Sequence, residues 1–288
     1  MGSHRVSRRT FLRRSAVAGG AVVVAGAAGF GVKELFFGED APPTTEPLGV
    51  DTRWPIKHVV YLMLENRSFN HMFGAFPGAT DVTKVGLVDG KEQPLTVAPE
   101  WLKGDLPHDR PAGVHQVDGG KMDGFAMYDP ADVPAVAQSM TFHERDTMAN
   151  WWHWAENFVL SDHFFASANS ASYPNHLYMI AGTSGGAFDN PVNDDVPPAA
   201  GLAKTWGCDS PETAFVNLYD YEIGDGNADG SVQPVDIVPP CFAFETQGEQ
   251  LSARKIDWAF YAANERTTGY IWNAYAAIDK VFHSDFDG

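Results

Sequence analysis

Positive charge and cysteine are both scarce in this 288-residue chain. The 20 Lys and Arg stand against 37 Asp and Glu, for a formal net charge of −17. So acidic a surface does not favour nucleic acid or anionic lipid as a general electrostatic partner. A phosphate-bearing ligand would need local cations, such as a bound metal, to offset that field. The chain has only two cysteines, Cys208 and Cys241, which excludes a disulfide-rich scaffold. They are far apart and without Cys-x-x-Cys spacing, which argues against a thiolate zinc site. Both lie in turn-like segments, so a single structural bridge is the expected use. Internal repeats are missing, as are low-complexity runs after residue 50. Apolar residues are not lacking: they make up 44% of the chain, enough for a packed core in one large domain or two small ones.

The N-terminus reads as an export signal. Ser7-Arg8-Arg9-Thr10-Phe11-Leu12 matches the twin-arginine pattern, and a Gly/Ala-rich apolar run from Ala16 to Gly31 follows. The run is about 16 residues, short for a spanning helix. Ala25-Gly26-Ala27 offers a small-residue cleavage site. The expectation is a signal over residues 1–31 and a partner in the twin-arginine export machinery. The mature protein would then be periplasmic, cell-surface or secreted. Residues 32–50 are Pro-rich, acidic and without periodicity, as in a linker. The folded domain is expected over 51–288.

The strongest pattern is Ile56–Gly74, IKHVVYLMLENRSFNHMFG. Ile56–Leu64 is almost wholly apolar and rich in β-branched and aromatic residues, which predicts a parallel strand buried on both faces. Glu65 and Asn66 follow where that run stops. Ligands bind beyond the carboxyl ends of strands in open α/β sheets, and a carboxylate with an amide oxygen suits a hard divalent cation. Ser68 is placed to cap a helix through Phe69, Met72 and Phe73. Residues 75–135 are rich in Gly, Pro and Asp and read as long loops, with His108 and His115 among turn formers. Two loop histidines are candidates to contact phosphate or metal.

Thr147–Phe158 reads as a helix whose apolar face is Trp151, Trp154, Ala155 and Phe158, leaving Trp152 and His153 off the stripe. That aromatic cluster reads as core in preference to a choline cage. In Leu160–Gly186 a helix is expected after Ser172, ending at Ala181-Gly182-Thr183. A hydroxyl at that helix N-terminus would face an anion-binding end of the macrodipole. From the residues alone, Ser172 has no claim over Ser161, Ser167 or Ser170. Asp225–Asp236 loosely fits a calcium loop and reads better as an acidic hairpin turn. Phe215–Glu222 reads as a strand, Gln247–Ala253 as a helix and Ile256–Tyr261 as another strand.

These segments carry a resemblance. ENRSFNHMFG closely resembles the ENRSFDHYFG signature of the bacterial phospholipase C and acid phosphatase family, within the alkaline-phosphatase-like superfamily. Asn70 is the departure. The stretch LPHDRPAGVHQVDGGKMDGF is similar to the family's His-bearing loop and MDGF segment. SDHFFASANSASYPNHLYMIAGT resembles the type SDxFF…GPSxPNxxYxxAGT, with Ser170-Ala171 in place of Gly-Pro. PPCF and the segment up to Ala277 also resemble the family.

The resemblance implies an α/β fold, a three-layer α/β/α sandwich with a mostly parallel sheet. It implies a metal-dependent phosphoric ester hydrolase of phospholipase C type, with a phosphate-ester or phospholipid substrate. Ser172 would be the nucleophile, and a divalent metal would sit on Glu65, Asn66 and Ser172. His108 or His115 would steady charge or protonate the leaving group. The resemblance covers the front half of the family's domain. The family's DDxGGxYDH segment has no counterpart, since Asp194-Asp195 lacks its Gly-Gly and His, so the chain is expected to be C-terminally truncated. Two alternatives stay open: an acid-phosphatase-type phosphomonoesterase, and a truncated, non-catalytic secreted remnant.

Overall fold

The structure, a computed structural model, describes residues 56–79, 85–88, 91–99, 105–128, 139–193, 205–219, 234–265, 267 and 269–284. The expected signal, the linker, Asp194-Asp195 and the acidic turn at 225–230 lie outside the described residues. Two compact units divide the chain: Met1–Val59 with Gln247–Ala259, and Val60–Thr246 with Phe260–Gly288. In the first, helix Gln247–Ala253 has the predicted bounds, and the Trp258 indole donates to the Ser252 hydroxyl at 2.8 Å.

The second unit holds the remaining elements. In chain order they are α1 (Phe69–Phe73), β1 (Val85–Val88), β2 (Lys91–Pro94), β3 (Thr96–Val97), α2 (Arg110–Val117) and β4 (Thr141–Phe142). After these come α3 (Ala149–Asn157), α4 (Ser172–Ala181), β5 (Val216–Leu218), β6 (Asp236–Val238) and α5 (Asp279–Phe282). Among the described residues, the strands form three two-stranded sheets. β1–β2 and β5–β6 are antiparallel, and β3–β4 is parallel. The fold is thus mixed α/β with a small parallel pair. Among the described residues, it does not assemble the expected mostly parallel sheet.

Ile56–Leu64 departs from its predicted role. It forms no strand, and its side chains other than Met63 are exposed, with Val59 at 87% and Val60 at 90%. A parallel strand draws its hydrogen bonds and cover from neighbours that lie a crossover away in sequence. Ile256–Tyr261 likewise forms no strand, and Tyr261 is exposed. The supposed loop region 75–135 contains the β1–β2 hairpin and α2. Asp109 caps α2 by accepting from Ala112 N at 2.9 Å, and Pro111 sits in its first turn.

α1 begins as predicted, with the Ser68 hydroxyl accepting from His71 N at 3.2 Å. α3 turns a different face inward than its stripe indicates. Trp152 is the buried ring, at 4% exposure, whereas Trp154 is 50% exposed and Phe158 is open to solvent. The inner face is Met148, Trp151, Trp152 and Ala155, which also has helical spacing. A partner made the choice: the Trp152 indole donates to the Met72 carbonyl at 3.1 Å and lies against Phe76, with ring centroids 5.1 Å apart.

The core around α4 is built from Tyr173, Pro174, Leu177 and Ile180 on the helix, against Trp206, Phe242 and the Ala274–Ala277 turn. The Cys208–Cys241 bridge forms as expected and ties two parts of this wall together. Beside it, Gly207 runs so close to Ala276 that a Cβ would stand 2.5 Å from the Ala276 carbonyl oxygen. That approach needs a residue without a side chain.

Candidate functional site at the start of α4

Ser172 is the first residue of α4 and is 9% exposed. The residue before it is Ala171, which offers no side-chain cap. Capping comes from elsewhere: the Asn190 side-chain oxygen accepts from Tyr173 N at 3.0 Å. Gly182, at φ 63°, ends the helix in the left-handed conformation.

The loop that delivers Ser172 is held from within the helix. The Asn175 carboxamide oxygen accepts from Ala168 N at 3.1 Å. Its nitrogen donates to the carbonyls of Ala168, Ser170 and Ala171 at 3.1, 3.3 and 3.1 Å. The Ser170 hydroxyl donates to the Phe188 carbonyl. Arg110, from the start of α2, lies over the Phe188 ring, 4.6 Å from its centroid. The Ser170-Ala171 variation on the family's Gly-Pro is therefore accommodated in a well-anchored turn.

Glu65 meets this helix. Its Oε2 lies 3.8 Å from His176 Nε2. Burial pushes the Glu65 pKa up, but the neighbouring His176 and Ser172 and, more weakly, His108 outweigh it. The carboxyl thus sits below the usual glutamate range. At 3.8 Å the imidazole is too far for a hydrogen bond and acts electrostatically. Ser172 and His176 are four apart on one helix, so they share a face. That spacing was the legible signal for His176, which the sequence reading passed over. Asn175, Asn190 and Arg110 were also missed as site-building residues. Only Asn175 had a local cue, the Pro-Asn pair after the serine.

The other predicted residues fall out as follows. Asn66 is exposed and has φ 55°, a left-handed turn conformation that asparagine tolerates. His108 is exposed, with Nδ1 2.7 Å from the Leu106 carbonyl, and contributes weakly to lowering the Glu65 pKa. His115 is exposed on α2, not in a loop. Gly124 of the MDGF segment packs against its backbone, where a Cβ would stand 2.1 Å from the His115 carbonyl.

The donor set suits a divalent cation. Glu65 Oε1 and both ring nitrogens of His176 are buried and have no hydrogen-bond partner. A carboxylate oxygen and an imidazole lone pair left unpaired in one place are what a cation would satisfy. Cys208, Cys241 and Asp279 also cluster, but the two sulfurs are bonded to each other. Elsewhere, His71 and His143 meet at a tilt with ring centroids 4.6 Å apart, near Arg67, and form a separate group.

A sequence model described as "Phosphoesterase family" matches residues 56–284. The chain is 30% identical over 210 residues to a non-hemolytic phospholipase C of Burkholderia pseudomallei, covering 65% of this chain and 28% of that protein. It is 27% identical over 165 residues to non-specific phospholipase C3 of Arabidopsis thaliana, covering 48% and 32%. It is 23% identical over 287 residues to a hemolytic phospholipase C of Pseudomonas aeruginosa, covering 93% and 33%. The chain thus spans about a third or less of the length of these relatives.

Proposed function

The chain belongs to the Phosphoesterase family, and on that premise we propose that it hydrolyses phosphoric esters of the phospholipid type with Ser172 as nucleophile. The observation that carries this reading is the buried Ser172 hydroxyl at the start of α4, on the same helix face as His176 and beside the Glu65 carboxylate. The names of the relatives, phospholipases C from bacteria and a plant, favour a phosphodiester substrate.

Ser172 Oγ attacks phosphorus, and the bond from phosphorus to the departing alcohol oxygen breaks. The serine proton passes to a base, and the leaving oxygen takes up a proton. His108 and His115 are the candidate donors of that proton. Water then attacks the phosphoserine and restores the hydroxyl. The developing charge lies close to the start of α4, the end of the macrodipole that favours anions. Asn175 and Asn190 keep the serine and the start of the helix in register. A divalent cation held by Glu65, with Asn66 and Ser172, would supply positive charge to the phosphoryl oxygens and favour the ionised hydroxyl.

The test is hydrolysis of a chromogenic phosphodiester and its monoester counterpart by the purified chain, across a divalent-metal series, beside Ser172→Ala. Metal-dependent diester turnover that disappears in the variant is the expected result. Turnover equal in the variant would remove Ser172 from the role. Monoester preference would turn the reading to a phosphomonoesterase.

A further inference from the structure

We propose that His176 is itself a metal ligand, binding through Nε2 the same divalent ion that Glu65 binds, and that this imidazole tunes the site toward zinc-class ions over calcium and magnesium. The inference rests on the metal-dependent reading above and adds a ligand to it.

Three observations carry it. First, His176 is 9% exposed, and neither ring nitrogen has a hydrogen-bond partner. A buried imidazole normally pairs both nitrogens, and each orphan costs roughly 1–3 kcal/mol. Second, the facing carboxylate is in the same condition, since Glu65 Oε1 is also buried and unpaired. Third, the Nε2–Oε2 separation is 3.8 Å, too long for a hydrogen bond. It falls within the span of two ligands on one zinc-sized ion, which stand about 3.4 Å apart at the tetrahedral angle and at most about 4.1 Å. One ion between the two side chains would pair Nε2 with the carboxylate, leaving the proton on Nδ1. Ser172, one turn before His176, is positioned to present its hydroxyl to the same ion.

Ligand chemistry then sets the preference. Oxygen donors alone suit calcium, magnesium or manganese, whereas an imidazole nitrogen suits zinc and its neighbours. Losing the imidazole should weaken zinc much more than calcium.

The experiment uses the full chain with cobalt(II), zinc and calcium salts as probes. The wild type, His176→Gln and Glu65→Gln are titrated by calorimetry, with the visible cobalt bands recorded and folding checked by circular dichroism. The expected result is a wild-type cobalt spectrum of mixed nitrogen and oxygen ligation. In His176→Gln, zinc affinity should fall at least tenfold and calcium affinity should hold. An unchanged cobalt spectrum and zinc affinity in His176→Gln would overturn the inference. If Glu65→Gln still abolished binding in that case, the metal-dependent reading of the site would stand without His176. No divalent binding by the wild type would overturn both. Should His176→Gln fail to fold, X-ray absorption at the zinc edge of the wild-type complex decides. Imidazole scattering supports the inference, and an all-oxygen shell overturns it.

Discussion

Asn175 and Ala168 are bonded twice: the carboxamide oxygen accepts from the Ala168 amide and the carboxamide nitrogen donates to the Ala168 carbonyl, each at 3.1 Å. This pair closes the loop that carries Ser172. Two further carbonyls, of Ser170 and Ala171, accept from the same nitrogen. Asn175→Ala removes all of these bonds at once. We expect a loss of about 2–3 kcal/mol in urea unfolding and at least a tenfold drop in esterase turnover. Asn175→Asp retains the acceptor and should fall between. A variant as stable and active as the wild type would show that the loop holds itself.

Two of the three tryptophans of α3, Trp152 and Trp154, separate packing from composition. Trp152→Ala should cost about 3–5 kcal/mol, since it removes a buried ring and orphans the Met72 carbonyl. Trp154→Ala should cost within about 0.5 kcal/mol, because its ring is half exposed. Equal losses in chemical denaturation would mean that α3 is rotated from the face described.

The Cys208–Cys241 bridge closes a loop with a sequence separation of 33. The chain-entropy account gives roughly 3–4 kcal/mol for a loop of that size. A Cys208→Ser/Cys241→Ser double variant should unfold at correspondingly lower urea, and reductant should shift the wild type but leave the double variant unmoved. A wild type indifferent to reductant would contradict this.

Stability should fall in mild acid through His71. Burial, then the charges of His143 and Arg67, push its pKa down from 6.5 to about 4. His143 is shifted down as well, by burial and then Arg67. The folded state therefore resists protons that the unfolded chain accepts between these values. Its contribution is full above about pH 6.5 and is lost as pH falls toward 4. Allowing for solvent screening of a half-exposed ring, the His71 part is on the order of 1 kcal/mol. His71→Gln should flatten the stability profile in that window. A profile as steep as the wild type's would assign the slope to other groups.

What the sequence determined by itself lies within a turn or two of chain. Ser68 capping α1, the start of α4 at Ser172 and its end at Gly182, and helix Gln247–Ala253 follow from caps, spacing and breakers, which act over a few residues. α2 was legible on the same terms, through Asp109 and Pro111, although the surrounding Gly and Asp masked it. The ENRSF and SYPN segments also marked the two halves of the candidate site. What only the tertiary structure decided is everything that needs a partner far along the chain. Trp152 faces inward because the Met72 carbonyl waits there, and no stripe on α3 contains that information. Ile56–Leu64 is apolar enough for a buried strand, but a strand exists only with neighbours to bond, and composition does not supply them. Glu65 meets His176 because the chain between them folds back. Each residue reads as ordinary alone, and the chemistry arises from their approach.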